Sequence, residues 1–179
     1  SQAGAQNVAA NQSGGTVLTT TLNLGGTDTT AVKSPSYTLS GGTLTTTGSM
    51  SLGADTNGNG TTTFALSGTG KLRVPGTISG SQSGARQIFA MTGGTLVAAT
   101  VTATNLRSAD LAVNGTFTQS GGTLAPGDIG TAGKTAITGD YQLAAGGTLA
   151  IDLGGTTQAT AYQTGQYDYL TVSGTTSLA

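Results

Sequence analysis

One short phrase recurs along this chain, and its spacing limits what the chain can fold into more than any other feature. Tyr37-Thr-Leu-Ser-Gly-Gly-Thr-Leu44 returns as Phe89-Ala-Met-Thr-Gly-Gly-Thr-Leu96 and Phe117-Thr-Gln-Ser-Gly-Gly-Thr-Leu124. With one extra residue it returns again as Tyr141-Gln-Leu-Ala-Ala-Gly-Gly-Thr-Leu149. Weaker copies are Phe64-Ala-Leu-Ser-Gly-Thr-Gly-Lys-Leu72, Tyr169-Leu-Thr-Val-Ser-Gly-Thr-Thr-Ser-Leu178 and Ala10-Asn-Gln-Ser-Gly-Gly-Thr-Val17. The leading positions, 10, 37, 64, 89, 117, 141 and 169, are separated by 27, 27, 25, 28, 24 and 28 residues. A period of this size that wanders by a residue or two is the mark of stacked units whose loops vary in length.

Each unit reads as extended chain broken by a glycine corner. Gly-Gly supplies positive φ, and the following Thr-Leu restarts a strand with one side chain out and the next in. Three strands of about five residues with their turns use up one period. The pattern therefore predicts an all-β chain, a single parallel, right-handed β-helix of six to seven rungs with about 26 residues each. Residues 1–9 are expected to form an N-terminal arm or cap, and residues 10–179 the repeat domain. The predicted core is two stacks, an aromatic one of Tyr37, Phe64, Phe89, Phe117, Tyr141 and Tyr169, and an aliphatic one of Leu44, Leu72, Leu96, Leu124, Leu149 and Leu178. An antiparallel sandwich also has regularly spaced strands, but hairpins do not by themselves repeat the same aromatic-to-leucine phrase.

Composition agrees with a narrow interior. Only 35% of the 179 residues are hydrophobic and 4% aromatic, so a broad single-centre core is excluded, while 31 glycines suit many tight turns. Charged residues are 7% of the chain, too few for the usual disordered segment. The formal net charge of −1 leaves no electrostatic footprint for nucleic acid or an anionic membrane. With no His and no Cys, thiolate chemistry, most nucleophile–base pairs and the usual zinc and haem ligands are missing. No apolar run is long enough for a membrane-spanning helix. The low charge and the Thr/Ser/Gly/Asn bias associate the chain with the cell exterior or surface.

The stretch Gly115-Thr-Phe-Thr-Gln-Ser-Gly-Gly-Thr-Leu-Ala-Pro-Gly127, followed by Thr138-Gly-Asp-Tyr-Gln-Leu143, Gly147-Thr-Leu-Ala-Ile-Asp-Leu-Gly154 and Tyr167-Asp-Tyr-Leu-Thr-Val-Ser-Gly174, resembles the Gly/Thr-rich strand repeats of autotransporter passenger domains and similar bacterial surface proteins. The resemblance covers residues 85–179, and the first half only through the shorter phrase. It implies a right-handed β-helix displayed at or beyond the outer surface, and no enzymatic activity.

Candidate sites are few. Asp55, Asn57 and Asn59 match the first half of a calcium loop, but the place for its bidentate acid holds Leu66. They read better as an Asn/Gly surface loop, and no metal or cofactor is expected. Asp110, Asp128, Asp140, Asp152 and Asp168 are the carboxylates available for glycan cleavage. Most lie beside glycine or in turn-like contexts, where Asp caps backbone N–H groups. Thr-rich segments at 19–21, 43–47, 61–63 and 100–104 suggest a flat binding array, but their phase drifts along the sequence. Lys71 and Arg73 share a strand face and read as solvated charge.

The ends carry the functional expectation. A β-helix exposes unpaired backbone and apolar columns at its terminal rungs. Ser1 and Val8 at one end, and Tyr169, Val172 and Leu178 at the other, are the expected assembly residues. Head-to-tail contacts that do not close generate a filament. The sequence thus predicts a non-enzymatic subunit of an extracellular filament, sheath or surface layer. Its partners are copies of itself and other surface or matrix components, without nucleic acid or membrane insertion. The alternative is an adhesin or passenger spacer segment of a larger bacterial surface protein.

Overall fold

The structure is a computed structural model that describes residues 8–25, 34–53, 60–80, 86–107 and 115–179. In chain order its strands are β1 (Ala9–Thr19), β2 (Leu22–Leu24), β3 (Ser36–Thr46), β4 (Met50–Leu52), β5 (Thr61–Leu66), β6 (Lys71–Gly80), β7 (Arg86–Thr102), β8 (Thr116–Leu124), β9 (Lys134–Thr138), β10 (Asp140–Leu143), β11 (Gly147–Leu149), β12 (Tyr169–Val172) and β13 (Thr176–Leu178). A 3₁₀ turn at Ala103–Asn105 is the one helical element among the described residues. Every ladder between these strands is parallel. The chain is therefore wound as a β-solenoid.

The winding has three walls. The first carries the start of β1 and β3, then β5, the start of β7 and β8, and β10 and β13. The second begins after the Gly-Gly corner and carries Val17, Leu44, Leu72, Leu96, Leu124 and Leu149 in register. The third joins β2, β4, the end of β6, the end of β7, β9 and β12.

The corner between the first two walls explains why the phrase needs its second glycine. Gly15, Gly42, Gly94 and Gly122 occupy it with φ of 69°, 72°, 72° and 74°. L side chains rarely adopt that region. At Gly42 a Cβ would also run into the carbonyl oxygen of Gly15 in the neighbouring pass.

Inside the first wall the rings of Tyr37, Phe64 and Phe89 stack at centroid distances of 5.6 and 5.4 Å. Phe117 and Tyr141 continue the column at 5.8 Å. Between Phe89 and Phe117 the rings meet edge to face, 5.8 Å apart at 67°. The change of geometry has a local cause. After the 3₁₀ turn, Arg107 bridges to Ile88, donating its N–H to Gln87 O (2.8 Å) while its carbonyl accepts from Phe89 N (3.0 Å). The edge of β7 is thus occupied before β8 arrives, and β8 pairs with β7 only from Met91 onward. Each aromatic contact is worth about 0.5–1.5 kcal/mol beyond its burial.

Three sequence expectations need correction. The solenoid has about four turns, fewer than the six to seven rungs expected. The passes 36–52 and 61–80 have strand neighbours on both sides at every wall, and 86–102 and 116–138 do so at the second and third walls, whereas among the described residues 9–24 is paired on one side and most of 140–178 likewise. Tyr169 is not in the aromatic column: it pairs with Lys134 on the third wall, and Thr176 lies in register with Tyr141. Leu178 is not in the leucine column: it pairs with Leu143 and is 69% exposed. Both displacements share a cause. The step along the first wall from Asp140 to Thr175 is 35 residues, because 150–168 leaves the solenoid before β12 returns to it.

Candidate functional site

The departure at 150–168 gathers several polar and charged side chains in one place. This segment is rich in Gly, Thr and Gln and lacks the alternation that would hold it in a wall, and Leu153 within it is 80% exposed. It folds back as a lobe on the outside. Lys134 N donates to Ala161 O (2.9 Å), and Gln163 Nε2 donates to Gly127 O (2.8 Å), tying the lobe to the 125–133 loop.

Asp168 clasps the lobe at its base. Its carboxylate is 6% exposed and accepts from Gly133 N at 2.7 Å and from Asp152 N at 2.9 Å. Burial pushes its pKa above the usual carboxylate value, the two amide donors oppose that, and the nearby Asp152 charge adds to it. Asp152 Oδ2 is buried without a hydrogen-bond partner.

Across the lobe lies an ion cluster that the sequence reading did not anticipate. Lys71 Nζ donates to both oxygens of Asp128 at 2.7 Å, and Arg73 Nη1 to Oδ2 at 2.6 Å. Lys71 and Arg73 are thus ion-paired, not simply solvated. Asp128 takes φ of 131° and is nearly buried, and it also accepts from Ile129 N at 2.8 Å. Burial raises the pKa of the Tyr162 phenol, and the nearby Arg73 charge opposes the rise. Asp128 and Gln163, both at the lobe, are the two non-glycine residues with positive φ among the described residues. Strain of this kind persists only where the surroundings fix it.

Between the lobe and the third wall runs an open groove of about 370 Å³, lined by Pro75, Thr100, Lys134, Ala136, Thr160 and Tyr162, among others. Lys134 Nζ stands 5.7 Å from the centre of the Tyr169 ring, a cation–π contact. Below the groove the outward positions of the third wall align. Asn23, Ser51, Ser79, Thr102 and Thr138 form one column, and Thr77, Thr100, Ala136 and Thr171 another. Hydroxyls that drift in sequence phase are brought into register here by unequal loops. At 43–47 the run is split: Thr43 stands in register with Thr16, whereas Thr46 turns inward and donates to Gly48 O at 2.8 Å.

Asp55, Asn57, Asn59, Asp110 and Ser1 lie outside the described residues. Among the described residues no group of three or more metal-ligating side chains occurs. Asp140 accepts from Thr175 N at 2.7 Å, so it, Asp128 and Asp168 all bind turn amides. Val8 is 58% and Tyr169 37% exposed, while Val172 packs against the core. No helix among the described residues is long and apolar enough to cross a membrane. Fold and site together define a parallel β-solenoid repeat protein with a lateral lobe. No protein-family model, curated protein or solved structure matches the chain.

Proposed function

We propose that the protein is a non-enzymatic structural subunit of an extracellular filament, sheath or surface layer, in which right-handed solenoids stack head to tail by strand addition. The supporting observation is the condition of the terminal passes. On the first, Val17 is 41% and Leu18 69% exposed, although Leu44, next in the Val17 column, is 1% exposed. At the other end Leu178 is 69% exposed on the outermost strand. Unpaired parallel edges with apolar side chains are templates for another chain.

Analytical ultracentrifugation and electron microscopy of concentrated protein test this. Rods longer than one molecule are expected, and Val17→Lys at the joint is expected to shorten them. Compact monomers at every concentration would end the filament reading. A second reading, a spacer segment within a larger surface protein, draws on the lateral lobe, since a binding element held on the side of a stalk suits an adhesin. In that case the edges are continued by the same polypeptide, and the isolated chain stays monomeric.

A further inference from the structure

We propose that the groove between the lobe and the third wall binds a glycan carrying uronic acid residues. The inference goes beyond the assembly reading and does not depend on it. Its size, about 370 Å³, lies within the roughly 300–1,000 Å³ typical of small-molecule sites. Among the described residues Lys134 is the one charged side chain in the lining, and no carboxylate pairs with it. The groove is therefore locally positive on a chain whose net charge is −1. A single ammonium suits a carboxylate. Phosphate groups and nucleic acid call for bidentate guanidinium, a nest of backbone amides or several cations together.

The rest of the lining suits a sugar ring. Thr100 and Thr160 line the groove, and neither side chain has a hydrogen-bond partner among the described residues, so both hydroxyls are free to exchange bonds with ligand hydroxyls. Tyr162 supplies an aromatic wall. Arg73, itself held by Asp128, lies close to the Tyr162 phenol. Lys134 is steadied over Tyr169. Asp128 and Arg73 are positioning residues, and Lys134, Tyr162, Thr100 and Thr160 are the contacts. The hydroxyl columns of the third wall continue from Thr100 and give a longer chain a flat polar track.

Calorimetric titration of the whole chain with trigalacturonate tests this, with its methyl-esterified neutral form and a tri-aspartate peptide as comparators. Saturable binding of trigalacturonate alone is expected. Lys134→Gln should weaken it about tenfold, and Lys134→Arg should hold it within about threefold. Tyr162→Ala should abolish it, while melting curves report whether the lobe stays folded. If Tyr162→Ala loosens the lobe, Thr160→Val gives the second reading and must still weaken binding. No heat of binding, equal binding of the neutral ester, or affinity indifferent to Lys134→Gln overturns the proposal. Equal binding of tri-aspartate replaces the glycan with an acidic peptide.

Discussion

The Tyr141 hydroxyl donates to Oε1 of Gln119 at 2.7 Å inside the solenoid, and Gln119 Nε2 donates onward to the carbonyls of Gly122 (2.8 Å) and Thr148 (2.9 Å). The same arrangement stands at the other end of the ring column. There Tyr37 donates to Gln12 Oε1 at 2.7 Å, and Gln12 Nε2 donates to Thr43 O at 3.1 Å. Two tyrosines thus bracket the phenylalanines at 64, 89 and 117, each tied to the glutamine of the preceding pass. A buried polar group is tolerated when its partners are complete.

Gln119→Leu should leave a buried hydroxyl unpaired and cost about 1–3 kcal/mol. Adding Tyr141→Phe should recover much of that loss, because both polar partners are then gone. Urea melts of the two singles and the double give the coupling. Simple additivity would show that the pair is energetically idle.

Burial pushes the Tyr141 pKa up to about 12, above its ordinary 10.0. The neutral phenol is favoured in the folded state, so this contribution to stability is complete below the unfolded value and is lost as pH rises through the folded one. Absorbance titration should show a late-ionising tyrosine that disappears in Tyr141→Phe. Stability should begin to fall above roughly pH 10. A titration identical in the variant would contradict the assignment.

The corner glycines separate two costs. A Cβ at Gly15 meets nothing within 4 Å, whereas at Gly42 it meets the backbone of the adjacent pass. Gly15→Ala should cost about 1 kcal/mol from its positive φ alone. Gly42→Ala should cost distinctly more, on the order of 3 kcal/mol, as strain and collision add. Equal losses in thermal melts would mean that the neighbouring pass gives way without penalty.

Asp168 makes the lobe pH-dependent in a direction opposite to most carboxylates. Its folded pKa is raised, so the clasp's contribution is fullest below the unfolded carboxylate pKa and declines as pH rises through the folded one. Hydrogen exchange at Gly133 and Asp152, corrected for intrinsic pH dependence, should show stronger protection in mild acid than at neutrality. Asp168→Asn should flatten that profile. Protection that instead rises toward neutral pH would reverse the sign and discredit the burial argument.

The walls were legible in the sequence because the interior is one-dimensional. Aromatic, corner glycine and leucine recur at their own period, and the resulting columns needed no knowledge of distant contacts. Tyr169 and Leu178 mimicked a last repeat only because their spacing matched the period, while the chain between Leu149 and Tyr169 was spent on the lobe. The lobe has no periodic signal of its own. Its clasps join residues far apart in the chain, as Lys71 and Asp128 are, and such pairs follow from loop lengths that a phrase search cannot weigh. The Pro-Gly-Asp turn at 126–128 and the paired bases on one strand face were the available hints.

The intrusion of Arg107 along the edge of β7 also has a mechanical meaning. On the first wall it interrupts direct pairing between the passes at 86–102 and 116–138, where the flanking rings turn edge-on. Among the described residues the strand pairs across that seam are fewer than between the other passes, so under a pulling force along the rod rupture should begin there, with the stacked rings on either side still in contact. A force trace should record two cooperative blocks rather than a uniform unzipping, which gives the rod a defined place to yield.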